Sequence, residues 1–145
     1  QHRHFLELHA EDPFVRQYMR DIGHYEFGEL HRPIRFPGFA ENCGQRDPLT
    51  LDYWLCYWIS AFEYINQFKD HLYVIPYEQT CKQGASALAQ ICKTLDIPTK
   101  GQLDAVAGMF REPSVRGERD KCDGRILERA ENIYNRYLTF ENCVC

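Results

Sequence analysis

Apolar residues recur at steps of three and four positions along residues 51–68. This spacing matches the turn of an α-helix and predicts one long amphipathic helix. We interpret its aromatic stripe as core packing rather than as a surface that holds a cofactor. The stripe consists of Leu51, Trp54, Leu55, Trp58, Ile59, Phe62, Ile65 and Phe68.

Weaker periodic patterns predict further helices on both sides of this one. Asp12 followed by Pro13 is a typical helix start, because aspartate caps the first amide groups and proline suits the first turn. Residues 31–48 are rich in proline and glycine and predict a long loop. The apolar face of the last helix includes Tyr134 and Tyr137. The predicted helices cover residues 13–22, 24–30, 82–95, 100–109 and 125–139.

Residues 72–75, with the sequence LYVI, form a continuous β-prone run that ends at Pro76. Such a run predicts a strand that is covered on both faces, as in a parallel sheet. A lone strand cannot satisfy its backbone hydrogen bonds, so we expect its neighbours to come from elsewhere. Because the chain also starts at Gln1 and not at methionine, we expect it to be the C-terminal part of a larger α/β domain.

Composition narrows the class of protein. The chain has 145 residues, of which 44% are hydrophobic and 26% charged, as is usual for one soluble globular domain. No apolar run is long enough to span a membrane. The net charge of −4 argues against DNA or RNA as a partner. Residues 111–129 interleave basic and acidic side chains, which favours either a solvated, salt-bridged face or a small anion site.

The cysteines and histidines give weak chemical signals. The seven cysteines include no CxxC pair, which is typical of free thiols in an intracellular protein and predicts a cytoplasmic location. The histidines of the first third have no spacing dedicated to a metal, so we predict packing roles and no metal requirement. A metal protein built on this third is a weaker hypothesis. These histidines are His2, His4, His9, His24 and His31.

Two short segments have residues that could bind an anion or a ligand. Arg46 precedes Asp47 and Pro48, which can form either an anion-binding loop or, as we favour, the start of the long helix. Tyr77 and Glu78 follow the predicted strand, at the edge where α/β sheets bind ligands. A tyrosine there can stack on a nucleotide base. Alternatively, Tyr77 packs under the next helix, with Glu78 near its positive end.

Residues 53–98 and 126–138 resemble the C-terminal half of sulfotransferases that use 3′-phosphoadenosine 5′-phosphosulfate. In that family a tryptophan-containing helix leads to a strand that ends in Tyr-Glu-Asp-Leu. The helix that follows ends in Leu-Gly-Ile-Pro or a near variant. This chain has YEQT at residues 77–80 and LDIP at residues 95–98. The resemblance extends over about residues 50–140.

The resemblance implies a P-loop-like, three-layer α/β fold, mostly helical in this chain with one or few parallel strands. It also implies in-line transfer of a sulfuryl group from 3′-phosphoadenosine 5′-phosphosulfate, as co-substrate, to a hydroxyl or amine of a small molecule or glycan. Residues 1–48 would form the acceptor-pocket region, and residues 49–145 the core helices with part of the nucleotide site. The family's phosphosulfate loop and Arg/Ser motif are absent, so we expect the chain alone to be inactive, with its general base unknown.

Positions that match the family's nucleotide contacts can be named in this sequence. Tyr77 matches the tyrosine that contacts the adenine. A non-enzymatic helical module that binds a protein through exposed aromatic side chains is the alternative hypothesis. The nucleotide-contacting residues that the resemblance implies are Tyr77, the base-contacting segment Gly108, Met109 and Phe110, and the 3′-phosphate loop residues Arg116 and Gly117.

Overall fold

The fold is mostly helical. The computed structural model describes residues 1–99, 101, 103–111 and 121–144. Two 3₁₀ helices, Gly28–Leu30 and Asn66–His71, connect the α-helices of this part of the chain. The α-helices are α1 (His2–Glu11), α2 (Pro13–Asp21), α3 (Phe39–Cys43), α4 (Leu51–Ile65), α5 (Tyr77–Gln83), α6 (Ala85–Thr94), α7 (Leu103–Ala107) and α8 (Gly124–Leu138).

The core lies where α4 packs against α8 on one side and α3 on another. Both predicted helices are present, and α8 buries most of its predicted apolar face. Of the stripe predicted for α4, only Ile59 is fully buried, and Phe68 lies beyond the helix and is exposed. The Tyr137 hydroxyl donates to the Phe62 carbonyl oxygen over 2.6 Å and ties the two helices together. The buried core residues are Phe39, Cys43, Tyr53, Cys56, Ile59, Ile126, Ala130, Ile133 and Tyr137.

Polar contacts fix the start of α8 beside α4. The Asp52 carboxylate, in the first turn of α4, accepts the backbone N–H of Asp123 over 2.9 Å. A hydrogen bond from Cys122 and that backbone bond hold the pKa of Asp52 below its usual range. Farther along, Arg129 donates to both carboxylate oxygens of Glu63. The direction of α8 is therefore set at two points.

The predicted strand at residues 72–75 is reduced to one parallel bridge. Val74 donates to the Asn142 carbonyl oxygen over 3.0 Å and accepts the N–H of Val144 over 2.8 Å. The expectation of a strand covered on both faces is wrong for the described chain, because Tyr73 is 51% and Ile75 is 41% exposed. Only one face of this segment meets the core, and its bridge partner is the C-terminal end of the same chain.

Several element boundaries differ from the predicted ones. Gly84, with φ of +57°, divides the helix predicted over residues 82–95 into α5 and α6. The short helix predicted over residues 24–30 is only the 3₁₀ turn Gly28–Leu30, and the loop predicted over residues 31–48 contains α3. None of the described helices is long and apolar enough to cross a membrane.

Candidate functional site

Tyr77 stands where the bridged segment becomes a helix. Pro76 cannot continue a β ladder, and its carbonyl oxygen accepts both the N–H and the hydroxyl of Thr80 over 3.0 Å. These bonds close the first turn of α5 directly after the bridged segment. Tyr77 is therefore the first helical residue, and it remains 46% exposed.

The ring of Tyr77 lies beside that of Phe110. The two ring centroids are 6.0 Å apart and the rings are tilted by 48°. The Tyr77 hydroxyl donates to the Arg111 carbonyl oxygen over 3.0 Å, and the Cys81 thiol contacts the same oxygen at 3.5 Å. Residues that are distant in sequence thus form one aromatic corner, in which the orientation of Tyr77 is fixed by the main chain of Arg111.

The other residues predicted for this site divide into two groups. Gly108 and Met109 follow α7 in a tight turn that carries Phe110, in which the N–H of Gly108 bonds to Asp104 and that of Met109 to Val106. Met109 is 78% exposed and leaves the corner open to solvent. Arg116 and Gly117 lie outside the described residues.

Glu78 joins α5 to α8. Its carboxylate accepts the Tyr134 hydroxyl over 3.0 Å. The sequence pattern placed Tyr134 on the inner face of the last helix, but its side chain lies partly exposed and lines an open apolar groove of about 520 Å³ between α4 and α8. Sequence reasoning missed this contact, since no local spacing relates the two residues.

The histidines of the first third hold the structure together locally. The Nδ1 atoms of His2 and His9 accept the N–H groups of Gly28 and Glu29, each over 3.3 Å. Burial, followed by the nearby His31, lowers the pKa of His2. Among the described residues, no group of three or more His, Cys, Asp or Glu side chains is arranged to hold a metal ion.

The thiols of Cys43 and Cys122 are poor nucleophiles. Burial raises the pKa of Cys43 to about 11. Burial and a hydrogen bond to Asp52 raise the pKa of Cys122 to about 11. Because the thiolate is the reactive form, neither side chain is suited to covalent catalysis near neutral pH.

Comparisons of the chain with protein-family models, with curated proteins and with solved structures found no match.

Proposed function

We propose that this chain is the C-terminal, nucleotide-contacting part of a sulfotransferase-like enzyme. The enzyme would transfer a sulfuryl group from 3′-phosphoadenosine 5′-phosphosulfate to a hydroxyl or amine. The observation that carries the proposal is the exposed Tyr77–Phe110 corner at the carboxyl end of a bridged segment.

Two features of the corner support base stacking: the exposure of Tyr77 and the fixed orientation of its ring. Base–aromatic stacking contributes about 1–3 kcal/mol per base in nucleic-acid complexes. The bond from the Tyr77 hydroxyl to the Arg111 carbonyl oxygen orients the ring before a ligand arrives, which lowers the entropy cost of binding. The proposal assigns the 3′-phosphate contact to Arg116 on the resemblance alone.

The backbone around Val74 supports the finer proposal of an α/β sheet. Val74 directs its N–H and carbonyl group to Asn142 and Val144, so those of Tyr73 and Ile75 point to the opposite edge. These two residues have no backbone hydrogen-bond partner in the described part of the chain. An additional parallel strand at that edge would satisfy these groups.

Calorimetric titration with 3′-phosphoadenosine 5′-phosphate tests this function, with protein expressed from the complete reading frame. We expect Tyr77→Ala to weaken binding roughly tenfold or more through lost stacking, whereas Tyr77→Phe retains most of the affinity. Phe68→Ala is the matched control, because Phe68 is an aromatic residue of nearly the same exposure (45% against 46% for Tyr77) outside the corner. Absence of binding by the unaltered protein, or equal losses at both positions, would refute the proposal.

A second candidate function, a protein-interaction module, is favoured by one face of α2. Phe14, Tyr18 and Ile22 follow one another at helical spacing and all are mostly exposed. The rings of Phe14 and Tyr18 stack with centroids 6.2 Å apart, which forms a continuous apolar strip. Such a strip is typical of an interaction surface.

Sedimentation of the 145-residue chain tests this alternative. An interaction surface that recognises a second copy predicts concentration-dependent association, which the double substitution Phe14→Ser and Tyr18→Ser abolishes. A chain that stays monomeric at all concentrations, with or without these substitutions, argues against that use of the strip.

A further inference from the structure

Two buried histidines of α1 hold the 3₁₀ turn Gly28–Leu30 against that helix. His2 is 8% and His9 is 3% exposed. Their Nδ1 atoms accept the N–H groups of two consecutive turn residues, Gly28 and Glu29, each over 3.3 Å. We call this pair of hydrogen bonds the histidine clasp. Because both acceptors are imidazole lone pairs, the clasp exists only while neither Nδ1 atom carries a proton.

Both nitrogen atoms of His9 are engaged. Since Nδ1 accepts a hydrogen bond, Nε2 carries the hydrogen of the neutral ring, and it lies 2.9 Å from the Met19 sulfur on α2. A proton added at Nδ1 would face the N–H of Glu29, and two donors cannot bond to each other. The added charge would also be buried, which costs free energy unless the cation is paired. Protonation of His9 and the closed clasp therefore exclude each other.

The surroundings of His2 oppose its protonation as well. Burial and the nearby His31 lower the pKa of His2, whereas Asp47 raises it by less. The ring centroids of His2 and His31 are only 5.3 Å apart, so two cationic rings here would repel each other. Acid therefore has to displace His2 from its present place before the ring can be charged and solvated.

The charged groups beside the clasp belong to ion pairs of their own. Arg16 of α2 contacts the Glu29 carboxylate at 3.2 Å, and the His24 ring lies 3.3 Å from the Glu26 carboxylate. In the described part of the chain, no ion pair joins a carboxylate to His2 or His9. A cationic form of either clasp histidine thus has no dedicated partner in the closed structure.

The clasp is the polar part of the interface between α1 and the rest of the fold. α1 packs mainly against α2 and the 3₁₀ turn. The apolar part is a row of rings, in which Phe5 stacks on Phe27 at 5.9 Å and Phe27 lies 5.5 Å from Trp54. The turn is also tied to α4, because His31 Nε2 is 2.7 Å from the Tyr53 hydroxyl. Loss of the clasp therefore separates α1 from the turn and leaves the turn on α4.

The same row of rings borders an aromatic cavity of about 360 Å³ around Trp54. Residues 31–34 form one side of this cavity, and Phe27 is part of its lining. When α1 leaves the turn, Phe27 loses the ring of Phe5 that stacks on it. The state of the clasp therefore controls how firmly this side of the cavity is held.

We propose that the histidine clasp is acid-sensitive, so that protonation of His2 and His9 releases α1 from the 3₁₀ turn. Because the closed clasp keeps both rings neutral, it is complete above about pH 6.5, where histidine ordinarily titrates, and opens at lower pH. Opening takes up two protons, so the ratio of open to closed protein should rise by up to about a hundredfold per pH unit. This inference does not depend on the sulfotransferase proposal.

Nitrogen-15 magnetic resonance of protein from the complete reading frame tests the clasp directly. The chemical shift of a histidine Nδ1 atom distinguishes a hydrogen-bond acceptor from a protonated nitrogen. We expect the Nδ1 atoms of His2 and His9 to gain protons in one step between about pH 7 and pH 5. The backbone amide signals of Gly28 and Glu29 should move in the same step, because they lose their acceptors.

Glutamine variants give matched side chains that do not titrate, since the glutamine oxygen can accept the same N–H group. His2→Gln or His9→Gln alone should reduce the pH dependence of opening to about tenfold per unit. The double variant should stay closed at the lowest pH tested. His4→Gln removes an exposed histidine of the same helix and should leave the step unchanged.

The unaltered protein alone can overturn the proposal, so the test does not depend on the folding of the variants. Absence of any step, protonation of both rings without movement of the Gly28 and Glu29 signals, or movement of these signals while either Nδ1 stays unprotonated would each do so. Among variants that fold, an equal effect of His4→Gln and His2→Gln would contradict it as well.

Discussion

The α3–α4–α8 core and residues 72–111 both contain many apolar residues, but only in the core do neighbouring helices cover them. In the core, the apolar side chains of α4 and α8 cover one another, and Ile59 and Ile133 are almost fully buried. Along residues 72–111, the apolar side chains are only partly buried or exposed, and Ala87 is the one fully buried apolar residue on the described helices α5 to α7. The exposed apolar residues of this segment are Tyr73, Ile75, Tyr77, Leu95, Ile97, Val106 and Met109.

This contrast shows that an apolar pattern predicts burial only when a second element is present to cover it. α4 packs against α8 and α3, and a predicted helix is present there. The segment at residues 72–75 finds only the bridge at Cys143, and one of its faces stays open. An uncovered, mainly apolar face is also where a ligand or a further strand can bind.

The largest expected effect contrasts buried and exposed isoleucines. Ile133→Ala should lower the free energy of unfolding by about 2–5 kcal/mol, because it opens a cavity between α4 and α8. Ile75→Ala removes a 41% exposed side chain and should cost less than about 1 kcal/mol. Urea unfolding of both variants measures the difference. Equal losses would mean that residue 75 is covered in solution.

A pair of glycines provides the next test. Gly28 and Gly101 both have φ of +77°, so alanine is strained at either position. At Gly28 an added Cβ would also lie 2.6 Å from His9 Cε1, whereas at Gly101 no atom of the described residues lies within 4 Å. We therefore expect Gly28→Ala to destabilise the fold by at least about 1 kcal/mol more than Gly101→Ala, as measured by thermal unfolding. Equal destabilisation would contradict the close packing of the 3₁₀ turn on α1.

Removal of two tyrosine hydroxyl groups should give a smaller difference in unfolding free energy. Tyr137→Phe removes one of two donors to the Phe62 carbonyl oxygen, which keeps the N–H of Asn66, and should cost about 1 kcal/mol of unfolding free energy. Tyr77→Phe removes an exposed bond to Arg111, and water can replace that donor, so we expect a loss below about 0.5 kcal/mol. A larger loss at Tyr77 would show that residues 77–111 contribute more to stability than their exposure indicates.

Lowering the pH should produce the smallest of these effects. The pKa of His2 is lowered from its ordinary 6.5, chiefly by burial, so the unfolded chain binds more protons than the folded one. The contribution of neutral His2 to the free energy of unfolding is therefore fully present above about pH 6.5. It declines as the pH falls through the lowered pKa of His2 in the folded state. Urea unfolding should show that the free energy of unfolding falls between pH 7.5 and pH 5.5. The fall should be smaller in the His2→Gln variant. The exposed His4→Ala variant should retain it, and an unchanged slope in His2→Gln would contradict the role of His2.

The sequence predicted the elements whose packing follows from their own periodicity. α4 and α8 are long and strongly amphipathic, and Asp12 with Pro13 marks the start of α2. The sequence did not predict α1, because two of its buried residues are histidines and not apolar side chains. These histidines accept hydrogen bonds from the turn at residues 28–29. The bridge from Val74 to Cys143 depends on tertiary register, which no local pattern contains.

In the candidate site, too, some features follow from the local sequence and others depend on contacts between distant residues. The position of Tyr77 at the end of a bridged segment follows from the run of residues 72–75 and Pro76. Its proximity to Phe110 came from the motif resemblance and not from spacing. The bond between Tyr134 and Glu78 and the aromatic cavity around Trp54 arise from how distant elements meet, so neither could be derived from sequence.

The most direct test of the central claim is a nuclear magnetic resonance titration. Protein from the complete reading frame, with labelled aromatic side chains, is titrated with 3′-phosphoadenosine 5′-phosphate. We predict saturable ring-current shifts at Tyr77 and Phe110 that leave Tyr73 unchanged, because the adenine stacks in the corner formed by the first two rings. No saturable shift at Tyr77 and Phe110, or shifts of equal size at Tyr73, would contradict nucleotide stacking in this corner.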